Sequence, residues 1–161
     1  MQEEQAEKKK YISPADALIK IYKYCVYQER SQQEVRDKLY ELGLHKKDVE
    51  QTISILITEG YLNEERFAIA FAGGKFRIKH WGKVKIKYAL KQKNVSDYCI
   101  RKALSQISDQ DYEKTLQLVI DACSRKIKEK DNRRKNYKIA QHAVSRGFES
   151  ELVWELLQGR D

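Results

Sequence analysis

The sequence predicts an all-α fold, an elongated array of three tandem three-helix repeats, and three observations predict it. Apolar residues recur at three- and four-residue spacing behind recognisable helix starts, and proline occurs once, as Pro14. The apolar pattern then returns twice along the chain. At the matching turn of each copy stands Gly43, Asn94 or Gly147, the residue types that best tolerate left-handed backbone. The repeats are assigned to residues 13–60, 61–108 and 109–161, behind a flexible polar segment at residues 1–12 that has little to bury.

The first helix starts at Ser13-Pro14-Ala15-Asp16, with Ser13 as N-cap and Pro14 at the first helical position, where its missing amide hydrogen costs little. Ala17, Leu18, Ile21, Tyr22 and Cys25 continue it. The second helix opens on Ser31 and Glu34, three apart as a capping box requires, and buries Val35, Leu39 and Leu42. Gly43 ends it at the left-handed C′ position, and Leu44 folds back as a hydrophobic cap contact. The third helix carries Val49, Ile53, Leu56 and Ile57 and stops at Gly60. Helices this short are marginal alone and need one another's apolar faces.

A step of 51 carries Val35, Leu39, Gly43, Leu44, Val49 and Ile53 onto Ile86, Leu90, Asn94, Val95, Ile100 and Leu104. A further step of 53 reaches Ile139, Ala143, Gly147, Phe148, Val153 and Leu157. The first helices align with a step of 49, taking Leu18, Ile21, Tyr22 and Cys25 to Phe67, Ala70, Phe71 and Gly74, then to Leu116, Val119, Ile120 and Cys123. This makes Phe67, Phe71, Ile86 and Leu90 core residues of the middle unit, with Val84 and Ala89 beside the last two. Gly74 is read as a site of close helix packing. Trp154, Leu156 and Leu157 close the third unit over its core.

The middle unit is also where charge concentrates. Between Glu65 and Asp97 there is no acidic residue, while Lys75, Arg77, Lys79, Lys83, Lys85, Lys87, Lys91 and Lys93 all fall there. Lys83, Lys87 and Lys91 are successive i,i+4 positions and form one solvent stripe. A second basic span, residues 125–135, lies in the third repeat as either an extended helix or an exposed loop. With a formal net charge of +8 and pI near 9.3, the chain suits nucleic acid or an acidic protein surface as partner. The candidate partner-binding residues are Lys75, Arg77, Lys79, Lys83, Lys87, Lys91, Arg125, Lys128, Arg133 and Arg134.

Catalytic chemistry has no visible constellation. Cys25, Cys99 and Cys123 are far apart and read as small buried hydrophobes, and His45, His80 and His142 are isolated, so neither a metal cage nor a cofactor is called for. Gly73-Gly74-Lys75 lacks the rest of a phosphate loop. No apolar run approaches the roughly 20 residues of a membrane span, and the N-terminus lacks signal-peptide order, so a cytoplasmic protein is expected. Nothing marks a coiled-coil stripe, which makes a monomer the default.

These residues resemble the RecX family, bacterial regulators of the RecA recombinase. The most specific match is Gly60-Tyr61-Leu62-Asn63-Glu64-Glu65-Arg66-Phe67-Ala68, similar to the family's Gly-Tyr-Leu-Asp-Asp-x-Arg-Phe-Ala segment. Arg30-Ser31, Glu34-Val35 and Lys38-Leu39 resemble the first-unit signature, and Gly82, Ile86, Ala89-Leu90 and Lys93-Asn94-Val95 the middle one. Asn63 and Glu64 replace two aspartates, Ala89 an acidic residue and Asn94 a glycine. The resemblance implies a curved, non-enzymatic modulator that acts in DNA repair, recombination and the SOS response. It implies binding to the RecA filament on single-stranded DNA and a reduction of ATP hydrolysis, strand exchange and coprotease activity. Two other readings compete: an autonomous DNA-binding module acting mainly through phosphate, and an adaptor for an unrelated acidic protein. The middle unit's lysines suit phosphate better than bidentate base readout. Direct DNA binding by the chain would then be weak.

Overall fold

The computed structural model describes residues 11–160, within which nine α-helices and no strand occur. Residues 1–10 of the expected flexible segment lie outside the described residues. The helices fall in groups of three: α1 (Pro14–Tyr27), α2 (Gln32–Glu41), α3 (Lys46–Thr58); α4 (Glu64–Lys79), α5 (Lys83–Gln92), α6 (Asp97–Ser105); α7 (Asp109–Lys126), α8 (Asn132–Ser145), α9 (Ser150–Gln158). The chain divides between Phe67 and Ala68 into two compact units.

In the first unit the local signals act as their chemistry demands. Ser13 accepts from the Asp16 amide at 3.2 Å, and Ser31 and Glu34 close a reciprocal capping box, with Ser31 fully buried. Ala17, Ile21 and Cys25 of α1 meet Val35 and Leu39 of α2 and Val49, Ile53 and Leu56 of α3 in one apolar cluster. Each such fully buried aliphatic side chain contributes about 1.5–3 kcal/mol over exposure. Arg36 of α2 grips Glu50 of α3 with two hydrogen bonds of 2.8 and 3.2 Å. Arg66 pairs with Glu29 and donates to the Gly60 carbonyl at 3.0 Å, fastening the entry of α4 to the end of α1 and the end of α3.

The second unit holds most of α4 and all of α5–α9. Asn63 caps α4 by accepting from the Arg66 amide at 2.9 Å, with Glu64 and Glu65 in the first turn, where they complement the helix dipole. Its core runs through Ala72 and Phe76 of α4, Ile86 and Leu90 of α5, Leu116 and Ile120 of α7 and Phe148 before α9. Tyr112 joins the repeats, its ring 6.0 Å from Phe76 and 5.2 Å from Phe148. Nearby, Gly82 donates its N–H to the Arg146 carbonyl at 2.9 Å, and Val84 donates to Gly147 at 3.0 Å.

The turn after the middle helix is one motif made three times. Gly43, Asn94 and Gly147 have φ of +92°, +56° and +99°. Behind them the amides of Leu44, Val95 and Phe148 each reach back to Leu39, Leu90 and Ala143 at 3.2 Å. This is the Schellman pattern, and all three returning side chains are buried.

The first helices of the repeats align differently from the sequence expectation. Ala70 is exposed and Phe71 only half-buried, whereas Ala68, Ala72 and Phe76 are buried. Ala17, Ile21 and Cys25 therefore correspond to Ala68, Ala72 and Phe76, the same step of 51 as the rest of the repeat. Val84 is exposed as well. Gly74 is not a packing glycine, since a Cβ there would meet nothing within 4 Å, while one at Gly73 would touch the Arg77 guanidinium. The basic span divides: α7 continues to Lys126, residues 127–131 form a loop, and Arg133 and Arg134 fall in the first turn of α8 behind the N-cap Asp131. Trp154 is half-buried and Leu157 buried.

Burial fixes how two phenylalanines should respond to truncation. Phe148, 1% exposed, is expected to lose about 3–5 kcal/mol as alanine, and half-buried Phe71 about 1–2 kcal/mol. Denaturant unfolding of the two variants checks the order; equal losses would contradict the assigned core.

Candidate partner-binding surface

Because Ile86 and Leu90 turn α5 toward the core, its lysines divide onto two flanks. Lys83, Lys87 and Lys91 take one; Lys85, Ala89 and Lys93 take the other. A helix reading of i,i+4 neighbours gives both rows, and the structure gives them different surroundings.

The Lys85 flank faces aromatic rings. Lys85 Nζ lies 4.6 Å from the Trp81 ring centre, and Lys75 Nζ lies 4.9 Å from Trp81 and 5.4 Å from Phe71. Lys93 Nζ lies 5.8 Å from Phe71. Three ammonium groups thus converge on two half-buried rings, each contact contributing about 0.5–1 kcal/mol at an exposed site. Ala89 sits between Lys85 and Lys93 on that flank, so no carboxylate of α5 dilutes the charge. Lys85, Lys93 and Trp81 were not among the sequence candidates; the i,i+4 row through Ala89 was the available signal.

On the other flank Lys87 and Lys91 are exposed and make no ion pair with any described residue. Lys83 is not part of a purely solvated stripe. Its Nζ lies 4.0 Å from Asp109 and 4.7 Å from the Tyr112 ring, and its backbone N–H donates to the Tyr112 hydroxyl at 3.0 Å. That hydroxyl in turn donates to the Glu149 carboxylate. Burial first, and then the bond to Glu149, push the Tyr112 phenol far above its ordinary range. Tyr112 is therefore a neutral structural strut, and Lys83 is anchored to it.

The remaining candidates are dispersed. Lys79 is exposed, its carbonyl accepting from the Arg146 guanidinium; Arg77 is exposed over Gly73. Arg125, Lys128, Arg133 and Arg134 are exposed around the α7–α8 turn. Glu129 lies among them, its carboxyl held below the usual range by hydrogen bonds from the Asp131 amide and from Lys138. The structure thus brings Lys75 together with Lys85 and Lys93, keeps Lys87 and Lys91 adjacent, and leaves the α7–α8 group as a separate basic region of the same unit.

Among the described residues no group of three metal-ligating side chains occurs, and Cys25, Cys99 and Cys123 are free thiols. Burial pushes the Cys25 and Cys123 thiols up, which lowers their reactivity. No described helix is long and apolar enough to cross a membrane. What the surface can do is bind anionic groups over several contacts.

A family model for the RecX second three-helix domain matches residues 63–104, the span of α4–α6. A regulatory protein RecX of Prosthecochloris aestuarii is 31% identical over 145 residues, covering 88% of this chain and 91% of that protein. The regulatory protein RecX of Chlorobium phaeobacteroides is 30% identical and covers 80% and 83% of the two chains. Against that of Clostridium perfringens strain 13, also 30% identical, this chain spans 57% of the relative's length. The crystal structure of RecX from Lactobacillus salivarius superposes with a TM-score of 0.80 at 25% identity, over 90% of this chain and 97% of that one.

Proposed function

Since the chain belongs to the RecX family, whose members are non-catalytic regulators, we propose that it modulates the RecA recombinase by binding its filament on single-stranded DNA. The effect is inhibitory: filament ATP hydrolysis, strand exchange and coprotease activity fall when the protein binds. It works in the cytoplasm and as a monomer. The observation that carries the physical half of this reading is the lysine-rich array on both flanks of α5, a helix with no carboxylate of its own, where Lys87 and Lys91 are exposed and Lys75, Lys85 and Lys93 crowd Trp81 and Phe71. Distributed ammonium groups suit an acidic protein face or a phosphate backbone, met through several screened contacts.

Titration against single-stranded DNA alone, RecA alone and a preformed RecA–DNA filament tests it. Tightest binding to the filament, with a parallel fall in its ATP hydrolysis, is expected. Equal affinity for DNA alone would favour a DNA-binding module that acts through phosphate, and no binding to filament or recombinase, with no effect on hydrolysis, would reject the assignment.

A further inference from the structure

A cavity of about 370 Å³ in the second unit is lined by His80, Leu118, Val119, Ala122, Arg125, His142 and Arg146. Four of these side chains are basic and none is acidic. The apolar three, all from α7, form one wall, in which Val119 is buried and Leu118 and Ala122 are exposed. Arg125 comes from the last turn of α7, His142 and Arg146 from the end of α8, and His80 from the reversal that follows α4. Two of these elements, the reversal after α4 and the end of α8, are joined independently of any ligand, because the Arg146 guanidinium donates to the Lys79 carbonyl and the Gly82 N–H donates to the Arg146 carbonyl.

Two details show that the basic groups are placed there at a cost. His80 has φ +52°, left-handed backbone that a side chain occupies unfavourably. Of the four other left-handed positions among the described residues, three use glycine, Gly43, Gly60 and Gly147, and one asparagine, Asn94, whereas here an imidazole lines the cavity. His142 faces Arg146 on its own helix and Lys126 on α7. Burial, followed by these two cations, holds its pKa below the ordinary histidine value. Asp121 of α7, four residues before Arg125, is paired with Arg160.

We propose that this cavity is a phosphate-binding site, taking a phosphomonoester or a nucleic-acid phosphodiester between Arg125, Arg146 and the two imidazoles. Guanidinium forks match phosphate oxygens with paired N–H donors, and each arginine has donors beyond those engaged with the Asp121 and Lys79 carbonyls. A dianionic phosphate balances this much converging charge better than a single carboxylate does. The apolar wall leaves room for the group that carries the phosphate. The site is separate from the α5 lysines and does not depend on the recombinase reading.

The test follows the His142 imidazole resonances of the whole chain across a pH titration, alone and with inorganic phosphate, a nucleoside monophosphate, a short single-stranded oligonucleotide, or glutamate. Phosphate-bearing ligands are expected to raise the His142 pKa to or above its ordinary value, and glutamate to leave it nearly unchanged. In Arg125→Gln, a change at an exposed position whose folding is checked by far-ultraviolet circular dichroism, apparent phosphate affinity should fall at least tenfold. Lys87→Glu/Lys91→Glu should leave the response to inorganic phosphate intact, so failure here and failure of filament binding are told apart. Tighter oligonucleotide binding assigns a backbone phosphodiester, and tighter monophosphate binding a terminal phosphate. A His142 pKa that none of the ligands moves at millimolar concentration, that glutamate moves equally, or whose response survives Arg125→Gln would overturn the proposal.

Discussion

Replacing Gly82 by alanine is expected to destabilise the second unit by about 3–5 kcal/mol, the range of severe overpacking where neither neighbour can yield. The cause is purely steric. Gly82 has φ −76° and ψ 164°, which any residue adopts, so no conformational freedom is lost. A Cβ there would lie 2.2 Å from the carbonyl carbon and oxygen of Gly147 and 2.3 Å from the Phe148 nitrogen. All three are backbone atoms inside a Schellman turn, and none can swing aside as a side chain would. Separating the two segments also breaks the hydrogen bonds from Gly82 to Arg146 and from Val84 to Gly147, each contributing about 0.5–1.5 kcal/mol. Gly74→Ala is the matched control: its Cβ meets nothing within 4 Å in a helix interior, so it should be neutral or stabilising by up to about 1 kcal/mol. Urea unfolding of both variants decides the matter, and a Gly82→Ala midpoint equal to that of the unmodified protein would remove Gly82 from its assigned role.

The contrast between Gly82 and Gly74 shows what the sequence could convey. Turn chemistry is local: a glycine or asparagine followed by an apolar residue specifies its own hydrogen bonds, and all three copies at Gly43, Asn94 and Gly147 were legible before any coordinates. Helix phase is legible only where polar residues interrupt the apolar ones. In α4 the six residues from Phe67 to Ala72 are all apolar, so spacing alone fixed no buried face, and the step of 49 followed the large side chains away from Ala68 and Ala72. Gly82 announced a chain break but not its partner, because Gly147 is 65 residues distant. The same distance limit hid the fate of Lys83. Asp109 and Tyr112 belong to the next repeat, and only folding brings them to its ammonium. The cavity between His80, Arg125, His142 and Arg146 was illegible for that reason too: three elements contribute to it, and each histidine looked isolated along the chain.

The double reversal Lys87→Glu/Lys91→Glu is expected to weaken binding to the RecA–DNA filament at least tenfold, about 1.4 kcal/mol, while leaving the helical signal and thermal midpoint nearly unchanged. Both side chains are exposed and without an ion pair among the described residues, so reversal breaks no ion pair within the described residues. Lys79 lies beyond the helix break but is exposed too, and adding Lys79→Glu should deepen the loss. Lys83→Glu should behave differently. It places a carboxylate beside Asp109 and exchanges a cation over the Tyr112 ring for an anion, so a stability loss should accompany any binding loss. Salt separates electrostatic binding from shape: raising ionic strength should weaken the unmodified protein more steeply than the double variant, since each removed ammonium removes a screened attraction. Filament affinity, free-DNA affinity and filament ATP hydrolysis are to be measured on the same folded variants. Unchanged filament affinity in Lys87→Glu/Lys91→Glu would assign these lysines to solvation alone. A loss of free-DNA affinity equal to the loss on the filament would place phosphate rather than recombinase opposite α5.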